Sequence, residues 1–348
     1  MGATTIDARA KEVLKSLIRL HIDTGEPVGS ESLARALNRA ISSATLRNVM
    51  ADLERQGLLD HPHTSAGRVP TDDGYRVYVN SLMEPEQLPA REAAAIESSL
   101  RTEDSTAQIL EKASQLLSRL SHNVGFALVP EIGRTSFMHV DLVRLPHPRI
   151  LVVMVSSAGL VTNRVIEIEE NLSQDELQAC ANYLNIHFTG MPLSAIRARL
   201  LELMGLEKAL YDSLLKQVIS VGERAFATQG DDGGDVYLDG TANIIEHIEF
   251  EDLGRLRELF RTFAEKSRLV RILNACISSD GVRVIIGHEN LEPTLHNMTV
   301  VGAGYPLRGE GAWGLGVMGS TRMEYARVMA LVDHVARAVR HTLLELQA

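Results

Sequence analysis

The chain has 348 residues, of which 45% are hydrophobic and 23% are charged. This composition is typical of a globular protein and excludes a disordered one, and the length predicts two or three domains. The formal net charge is −10, but residues 1–80 hold ten basic and ten acidic residues. The acidic excess therefore lies in the rest of the chain, and a neutral N-terminal region must use individually placed charges to bind an anionic partner.

Neither a disulfide framework nor a metal site is predicted. The two cysteines, Cys180 and Cys276, are far apart and form no CxxC pair. The longest wholly aliphatic run, Ile150–Val155, is far too short to span a membrane, and no signal-peptide pattern opens the chain. We expect a cytoplasmic protein that needs no cofactor or metal and makes no membrane contact.

Two helices are predicted before residue 40. Apolar residues at helical spacing indicate the first over Arg9–Thr24, and Gly25 ends it. Ser30 can cap a second, shorter helix over Glu31–Leu37. A third helical pattern follows closely, so the second and third helices would form a helix-turn-helix.

The segment Ile41–Gly57 is predicted to be a capped amphipathic helix, with Ser43 capping its first turn and Gly57 its last. One face is apolar and belongs to the core: Leu46, Val49, Met50 and Leu53. The opposite face holds small or hydrogen-bonding side chains: Ala44, Asn48, Ala51 and Arg55, flanked by Thr45, Arg47 and Asp52. Such a surface suits the DNA major groove, because arginine pairs with guanine, asparagine pairs with adenine, and small methyl groups pack on thymine.

A polar turn follows this helix. Residues 58–71 form two short extended pieces around the turn Thr64–Gly67, where glycine supplies a positive φ, and this pattern predicts a wing. The side chains that line it can donate to phosphates or reach the minor groove: His61, His63, Thr64, Ser65 and Arg68. His61 and His63 could instead bind a metal, but no cysteine completes a site, so DNA contact is favoured.

From Val124 the apolar pattern changes from helical to alternating. Four strands are predicted there as one antiparallel meander: 124–129, 136–145, 150–155 and 159–168. Later patterns predict helices over 171–228 and 253–272, strands over 282–287 and 298–303, and a closing helix from Tyr325. Strands, helices and strands in this order predict a sheet interrupted by a helical insertion, although three consecutive domains would give the same pattern.

Two short motifs are better explained by structure than by catalysis. Gly314–Gly319 matches the GxGxxG of dinucleotide-binding folds, but only 29 residues follow it, too few for the rest of a βαβ unit. A tight turn from strand to helix is predicted there instead. Ser213–Lys216 matches the SxxK of penicillin-binding proteins, but neither SDN nor KTG occurs in the chain. No nucleophile or paired carboxylate stands out, so no catalytic residue is assigned and an enzyme is not expected.

Four segments of the N-terminal region carry a family resemblance: Gly25–Ser30, Ser42–Asn48, Leu53–Leu58 and His63–Thr71, the last followed by Gly74-Tyr75-Arg76. With further matches up to the C-terminus, the chain resembles the HrcA family of heat-inducible transcription repressors, which guard bacterial chaperone operons. The resemblance implies an α+β multidomain fold: a winged helix-turn-helix, then a GAF-like α/β domain interrupted by a mainly helical dimerisation insertion. The implied divisions are the winged helix over 1–83, a linker over 84–104, the GAF-like domain over 105–172 and 246–348, and the insertion over 173–245.

The resemblance also implies a function. A homodimer would bind an inverted repeat in double-stranded operator DNA, repress chaperone operons and lose activity on heat stress, with the GroE chaperonin maintaining its active fold. The residues expected to contact DNA are Ser43, Ala44, Thr45, Arg47, Asn48, Arg55, His63, Thr64, Ser65 and Arg68. The alternative is a ligand-responsive transcription factor that senses a small molecule through its GAF-like domain.

Overall fold

A computed structural model of the protein describes residues 6–62, 67–100, 105–129, 136–157, 161–168, 170–192, 195–196, 199–200, 213–225, 236–243, 253–265, 268–270, 272–273, 281–305 and 313–346. The described residues form three packed units: an N-terminal head, a five-stranded sheet covered by helices, and a three-stranded sheet with helices of its own. The predicted α+β class is confirmed.

The described part of the head contains four helices and a two-stranded hairpin. In chain order these are α1 (Ala8–Thr24), α2 (Ser30–Ala36), α3 (Ser43–Arg55), β1 (Leu59–Asp60), β2 (Val69–Pro70) and α4 (Asp72–Val77), which continues as a π-helical turn over Tyr78–Leu82. Fully buried leucines from the first three helices meet in one core: Leu14, Leu17, Leu33, Leu46 and Leu53. The two short strands pair antiparallel, with Leu59 opposite Pro70. The predicted winged helix-turn-helix is confirmed.

The starts of two head helices differ from the prediction. The hydroxyl of Ser42, not that of Ser43, caps α3, since it accepts a hydrogen bond at 3.2 Å from the backbone amide three residues later. Ser30 is the first residue of α2, and the cap position is held by Gly29, which has no side chain to contribute. Adjacent small residues fit the apolar spacing of a helix equally well as its cap, so this spacing locates the end of a helix only to within a residue or two. Gly57 follows the C-terminus of α3 with a φ of +75°, as expected.

The elements that follow the head are, in chain order, α5 (Ala90–Leu100), α6 (Thr106–Ser121), β3 (Val124–Leu128), β4 (Phe137–Arg144), β5 (Arg149–Ser156), β6 (Val161–Glu167), α7 (Gln174–Phe188), α8 (Ser213–Ala225), β7 (Val236–Asp239), α9 (Leu253–Ala264), β8 (Gly281–Ile286), β9 (Met298–Tyr305), β10 (Trp313–Ser320) and α10 (Tyr325–Leu346). Helix α5 lies within the predicted linker 84–104, of which only the start, 84–89, is irregular in the described part. The segment is rich in alanine, the strongest helix former, and Ile96 and Leu100 lie one turn apart and are buried. An apolar side only two residues wide was too narrow to be predicted as a packed helix.

The five-stranded sheet is antiparallel and has the strand order β7–β3–β10–β9–β8. Helices α6 and α10 cover one face, and α9 covers the other. Alternate residues of the strands therefore point into two separate cores, as Phe126 and Ala127 do on β3. β3 and β10 pair directly although the inserted elements separate them in sequence, which confirms the predicted interrupted sheet.

The glycine-rich segment Gly314–Gly319 is not the predicted turn but the interior of β10, the central strand of this sheet. A Cβ at Gly316 would lie 2.1 Å from the Val301 carbonyl oxygen and 2.7 Å from the Phe126 ring, so glycine is required for this close approach. Because helices cover both faces of the sheet, the strand shows no alternation of polar and apolar residues. Its composition therefore resembled that of a turn.

The smaller sheet has the strand order β4–β5–β6 and a core of its own. Helices α7 and α8 pack on one face of it, and their contact buries four aliphatic side chains: Val140, Val152, Leu177 and Val221. The predicted four-stranded meander is therefore wrong in one strand, because β3 joins the large sheet and only the next three strands form a meander.

These assignments divide the body differently from the predicted 105–172, 173–245 and 246–348. The unit with its own core runs from Phe137 to Ala225, and we call it the inserted unit. Its strands lie before residue 173, while β7 pairs with β3 in the large sheet. Apolar periodicity predicts strands but not the sheet that each strand joins, and this is why the boundaries differ.

Candidate nucleic-acid interface

The outward surface of α3 is the candidate interface. Its apolar side is buried, with Leu46 and Leu53 inaccessible and Met50 nearly so. Val49, predicted to join this core stripe, is only half-buried. The exposed side chains of the helix lie on the opposite side, and we call them the reading face: Ala44, Arg47, Asn48, Asp52 and Arg55.

Arg47 and Asn48 are the two groups of the reading face best suited to contact base edges. Within the described part of the chain, neither side chain makes a hydrogen bond or an ion pair. The five guanidinium donors of Arg47 and the carboxamide of Asn48, which both donates and accepts, are therefore available to a ligand. Guanine and adenine present matching edges in the major groove.

Arg55 lies at the far end of the reading face and forms an ion pair with Asp52, one turn earlier on α3. Both side chains are largely exposed. Exposed pairs of this kind contribute only about 0–1 kcal/mol, so a DNA phosphate can replace the carboxylate at little cost.

Hydroxyl groups gather at the N-terminus of α3. Ser42 Oγ and Thr45 Oγ1 lie 2.9 Å apart, and Ser43 is half-buried on the first turn. The partial positive charge of a helix N-terminus favours phosphate, and in helix-turn-helix proteins this end of the recognition helix contacts the bases. The predicted contact residues Ser43, Ala44 and Thr45 therefore occupy the end of the helix where such contacts are made.

Arg68 is held inside the head and does not project from the wing. Its Nε donates to Glu54 Oε2 on α3 at 2.7 Å, and the two side chains are only 21% and 33% exposed. Its backbone also pairs with Val28 through two hydrogen bonds of 2.9 Å. Arg68 therefore ties the wing to α3, which differs from the predicted outward contact with phosphate.

Thr71 and Gly74 fasten the base of the wing. The Thr71 hydroxyl donates to the Gly57 carbonyl at 2.6 Å and accepts from the Gly74 amide at 3.1 Å. A Cβ on Gly74 would lie 2.2 Å from the Leu58 carbonyl oxygen, so glycine is needed for this approach. The wing therefore starts and ends on fixed backbone. The predicted contacts His63, Thr64 and Ser65 lie outside the described residues.

Arg39 is a candidate contact that the sequence analysis missed. It lies in the turn between α2 and α3, with a φ of +57°, and Asn38 before it has a φ of +51°. Both side chains are exposed, and no ion pair to the described residues holds Arg39. Asparagine tolerates left-handed backbone better than most residues do, so Asn38 between two predicted helices was the available signal for a left-handed turn. The same backbone is unfavourable for arginine, and nothing in the sequence indicated that Arg39 adopts it.

Other kinds of site find no support in the described part of the chain. There, no group of three or more His, Cys, Asp or Glu side chains is placed to hold a metal ion. None of the described helices is long and apolar enough to cross a membrane. Cys180 is buried in the inserted unit, and desolvation raises the pKa of its thiol to about 11. The reactive thiolate is therefore scarce at neutral pH.

Comparison with known proteins assigns both parts of the chain. Residues 5–83 match the family described as the winged helix-turn-helix transcription repressor, HrcA DNA-binding, and residues 107–329 match the HrcA protein C-terminal domain. The chain belongs to the HrcA family. The resemblance is thereby confirmed, and the head is the part of the chain that matches the family's DNA-binding winged helix-turn-helix.

Proteins named heat-inducible transcription repressor HrcA match the chain over nearly its whole length. The protein from Geobacter sulfurreducens is 41% identical over 98% of this chain and 99% of its own length. Those from Syntrophobacter fumaroxidans and Xanthomonas campestris pv. campestris are 37% and 40% identical, over 98% and 95% of this chain and 98% and 94% of their own lengths. A crystal structure described as that of a hypothetical protein matches with a TM-score of 0.61 at 21% identity, covering 98% of this chain and 99% of that one. At that identity the match shows a shared fold alone.

Proposed function

We propose that the protein represses chaperone operons by binding an inverted repeat in double-stranded operator DNA as a homodimer. The observation that carries the proposal is the reading face of α3, where Arg47 and Asn48 are exposed and make no polar contact with the described residues, opposite the buried side of the helix. Membership in a family of transcription repressors supports it.

Within this proposal each predicted contact has a role. Arg47 and Asn48 read bases, and the methyl groups of Ala44 and Thr45 pack on thymine. The remaining predicted contacts bind phosphates or the minor groove and set the register of the head: Ser43, Arg55, His63, Thr64 and Ser65. Arg68 acts indirectly, because its ion pair with α3 positions the wing.

Duplex DNA is a better ligand for this head than RNA or single strands. Proteins that bind unpaired bases stack them on exposed aromatic rings. Residues 1–80 contain no Phe or Trp, and the tyrosines Tyr75 and Tyr78 are buried. The head therefore has no exposed aromatic platform in its described part.

The dimer contact is proposed to lie on the open face of the three-stranded sheet, away from α7 and α8. Six aliphatic side chains from all three strands share this face: Val143, Leu151, Val153, Val155, Val161 and Val165. Val161 and Val165 are 65% and 52% exposed. An exposed aliphatic patch of this kind marks an interaction site, and a second copy of the chain could cover it through a two-fold axis.

Helix α7 of the inserted unit suits the dimer contact less well. On α7, Leu177 and Leu184 are fully buried against the sheet. Ile186 is a large apolar residue exposed on that helix, at 77%. The open sheet face therefore offers a larger apolar surface than the outer side of α7.

Sedimentation velocity tests the dimer contact with two matched variants. Val165→Lys places a charge on the open sheet face and should shift the protein to monomer, because burying an unpaired charge is strongly unfavourable. Ile186→Lys introduces the same charge at an exposed apolar position on α7 and should leave the dimer intact. The reverse pattern would move the contact to the helices.

Operator binding is tested by fluorescence anisotropy with duplexes from the organism's own chaperone promoters. The full-length protein should bind an inverted repeat in these promoters far more tightly than a scrambled duplex at the same salt concentration. Footprinting should show two protected half-sites related by symmetry. Equal binding to promoter and scrambled DNA would contradict the proposal.

Heat control is proposed to act through the folding equilibrium, with the GroE chaperonin maintaining the folded repressor. Heat would divert chaperonin to other clients, so the concentration of active repressor would fall. A stability change of about 1.4 kcal/mol alters the folding equilibrium about tenfold, so no separate sensor pocket is needed. Refolding with and without chaperonin and ATP, followed by operator binding, tests the mechanism. Equal recovery in both conditions across growth temperatures would contradict it.

A further inference from the structure

A bidentate ion pair joins the head to the body. On α4, Arg76 Nε donates to Glu289 Oε1 at 2.7 Å, and its Nη2 pairs with the second carboxylate oxygen of the same glutamate. The same Nη2 donates to the carbonyl oxygen of Val284 on β8 at 2.7 Å. A planar guanidinium with three acceptors fixes both the distance and the angle between α4 and the edge strand of the large sheet.

A second contact lies one turn earlier on α4. The carboxylate of Asp72 accepts from the backbone amide of His288 at 2.9 Å and lies 2.7 Å from its ring Nδ1. The neighbouring Gly287 has a φ of +50°, and a Cβ there would lie 2.0 Å from the Asp72 carboxylate. Glycine therefore permits the short 3-10 turn Gly287–Glu289, which we call the clamp turn, to close on the start of α4.

Apolar and cationic contacts complete the junction. The rings of Tyr75 and Tyr78 lie 5.7 Å and 6.5 Å from that of Tyr325 at the start of α10, and all three are buried. The Arg322 guanidinium also lies so close to Gly25 that a Cβ there would be 1.7 Å from its Nη1. The head thus contacts the body at the clamp turn, at Tyr325 and at the end of α1, and these contacts together fix the orientation of the head.

We infer that Asp72 and Arg76, held by the clamp turn, are positioning residues that set the separation and angle of the two reading helices and thereby the operator spacer length. This inference rests on the proposed dimeric binding to an inverted repeat. One base pair added between half-sites moves them by about 3.4 Å and rotates them by roughly 35°. Heads clamped to a rigid body cannot follow that displacement, whereas released heads can.

The test compares operator affinities across spacer lengths. Duplexes carry the same half-sites with the spacer of the inverted repeat lengthened or shortened by one or two base pairs, and binding is measured by anisotropy at fixed salt. Wild-type protein should prefer one spacer by about tenfold or more, because other spacers must be deformed to fit. Arg76→Met keeps the aliphatic stem but loses the guanidinium, and its preference should fall to about threefold or less, with weaker loosening in Arg76→Lys.

Arg327→Met is the matched control. It removes a comparable half-buried ion pair, Arg327 with Glu92 at 2.9 Å, that joins α10 to α5 within the body. It should keep the wild-type spacer preference even if its stability falls. The milder variant His288→Ala, which alters an exposed side chain of the clamp turn, should loosen the preference in the same direction as Arg76→Met.

The outcomes separate the inference from the proposed function. If Arg76→Met loses affinity by one factor at every spacer, or keeps the wild-type preference, the positioning role is overturned while dimeric operator binding stands. If wild-type protein binds no inverted repeat at any spacer, the proposed function is overturned and the inference falls with it.

Discussion

Asn48 is exposed and makes no hydrogen bond to the described residues, and its amide is the kind of group that separates specific from non-specific DNA binding. Asn48→Ala should cost about 1–3 kcal/mol on the operator, because the bidentate contact to an adenine edge is lost. Affinity for random duplex should hardly change, since phosphate contacts remain. Parallel anisotropy titrations on both DNAs measure the difference. Equal weakening on both would show that Asn48 does not read bases.

Arg39 has left-handed backbone and an exposed side chain, so a substitution there should affect stability and DNA binding differently. Arg39→Gly should relieve backbone strain and leave the protein at least as stable, yet weaken both operator and random DNA binding. Loss of one phosphate contact should reduce the slope of log K against log salt by about one. Asn38→Gly is the control, because it relieves similar strain without removing a charge. An unchanged salt slope in Arg39→Gly would exclude the phosphate contact.

Among the elements, the wing depends on the ion pair between Arg68 and Glu54, which is largely shielded from water. Arg68→Met should lower the free energy of unfolding by about 1 kcal/mol, because a half-buried, charge-assisted hydrogen bond is lost. Arg55→Met breaks the exposed pair with Asp52 and should change stability by less than about 0.5 kcal/mol. Urea unfolding of the two variants measures both values. Equal effects would mean that the burial of Arg68 contributes nothing.

The elements that could be predicted from sequence are those with one face exposed to solvent. Helix α3 and the long helix α10 show apolar stripes because each buries only one face, and the edges of β4, β5 and β6 were predicted to within two residues. Strand β10 could not be predicted, because a glycine-rich strand covered on both sides has no alternating pattern. The membership of β3 in the large sheet depends on long-range pairing, which local spacing does not contain.

In the candidate site, too, the residues that could be predicted are those on an element with one buried and one exposed face. The exposed side of α3 follows from its apolar stripe, so the positions of Arg47, Asn48 and Arg55 were predictable. The inward ion pair of Arg68 and the left-handed backbone at Arg39 depend on how the wing and the turn fold against α3, and spacing along the chain does not contain that geometry.

At the scale of the whole molecule, Cys180 reports on the inserted unit. Its thiol is buried in the core between α7 and the sheet, and this burial raises the pKa of the thiol to about 11. Alkylation at pH 8 should therefore be slow in the folded protein. In a Cys276→Ser background, labelling by iodoacetamide should accelerate about tenfold or more over the temperature range in which operator binding is lost, if opening of this unit accompanies heat inactivation. Mass spectrometry of the labelled peptide measures the rate. Loss of DNA binding without faster labelling would place the heat-sensitive step elsewhere.

The pairing of β3 with β10 has a consequence for the order in which the protein forms during translation. Strand β3 leaves the ribosome long before its neighbour at Trp313–Ser320, so the large sheet stays incomplete while nearly two hundred further residues are made. During that interval the head can fold, because domains fold as units from the N-terminus, but β8 and the clamp turn are made only near its end and Tyr325 only after it. A nascent chain therefore has a folded reading helix but an incomplete five-stranded sheet, and the unpaired edge of β3 is exposed. About the last fifth of the chain, from β8 onward, converts a tethered DNA-binding head into an oriented one.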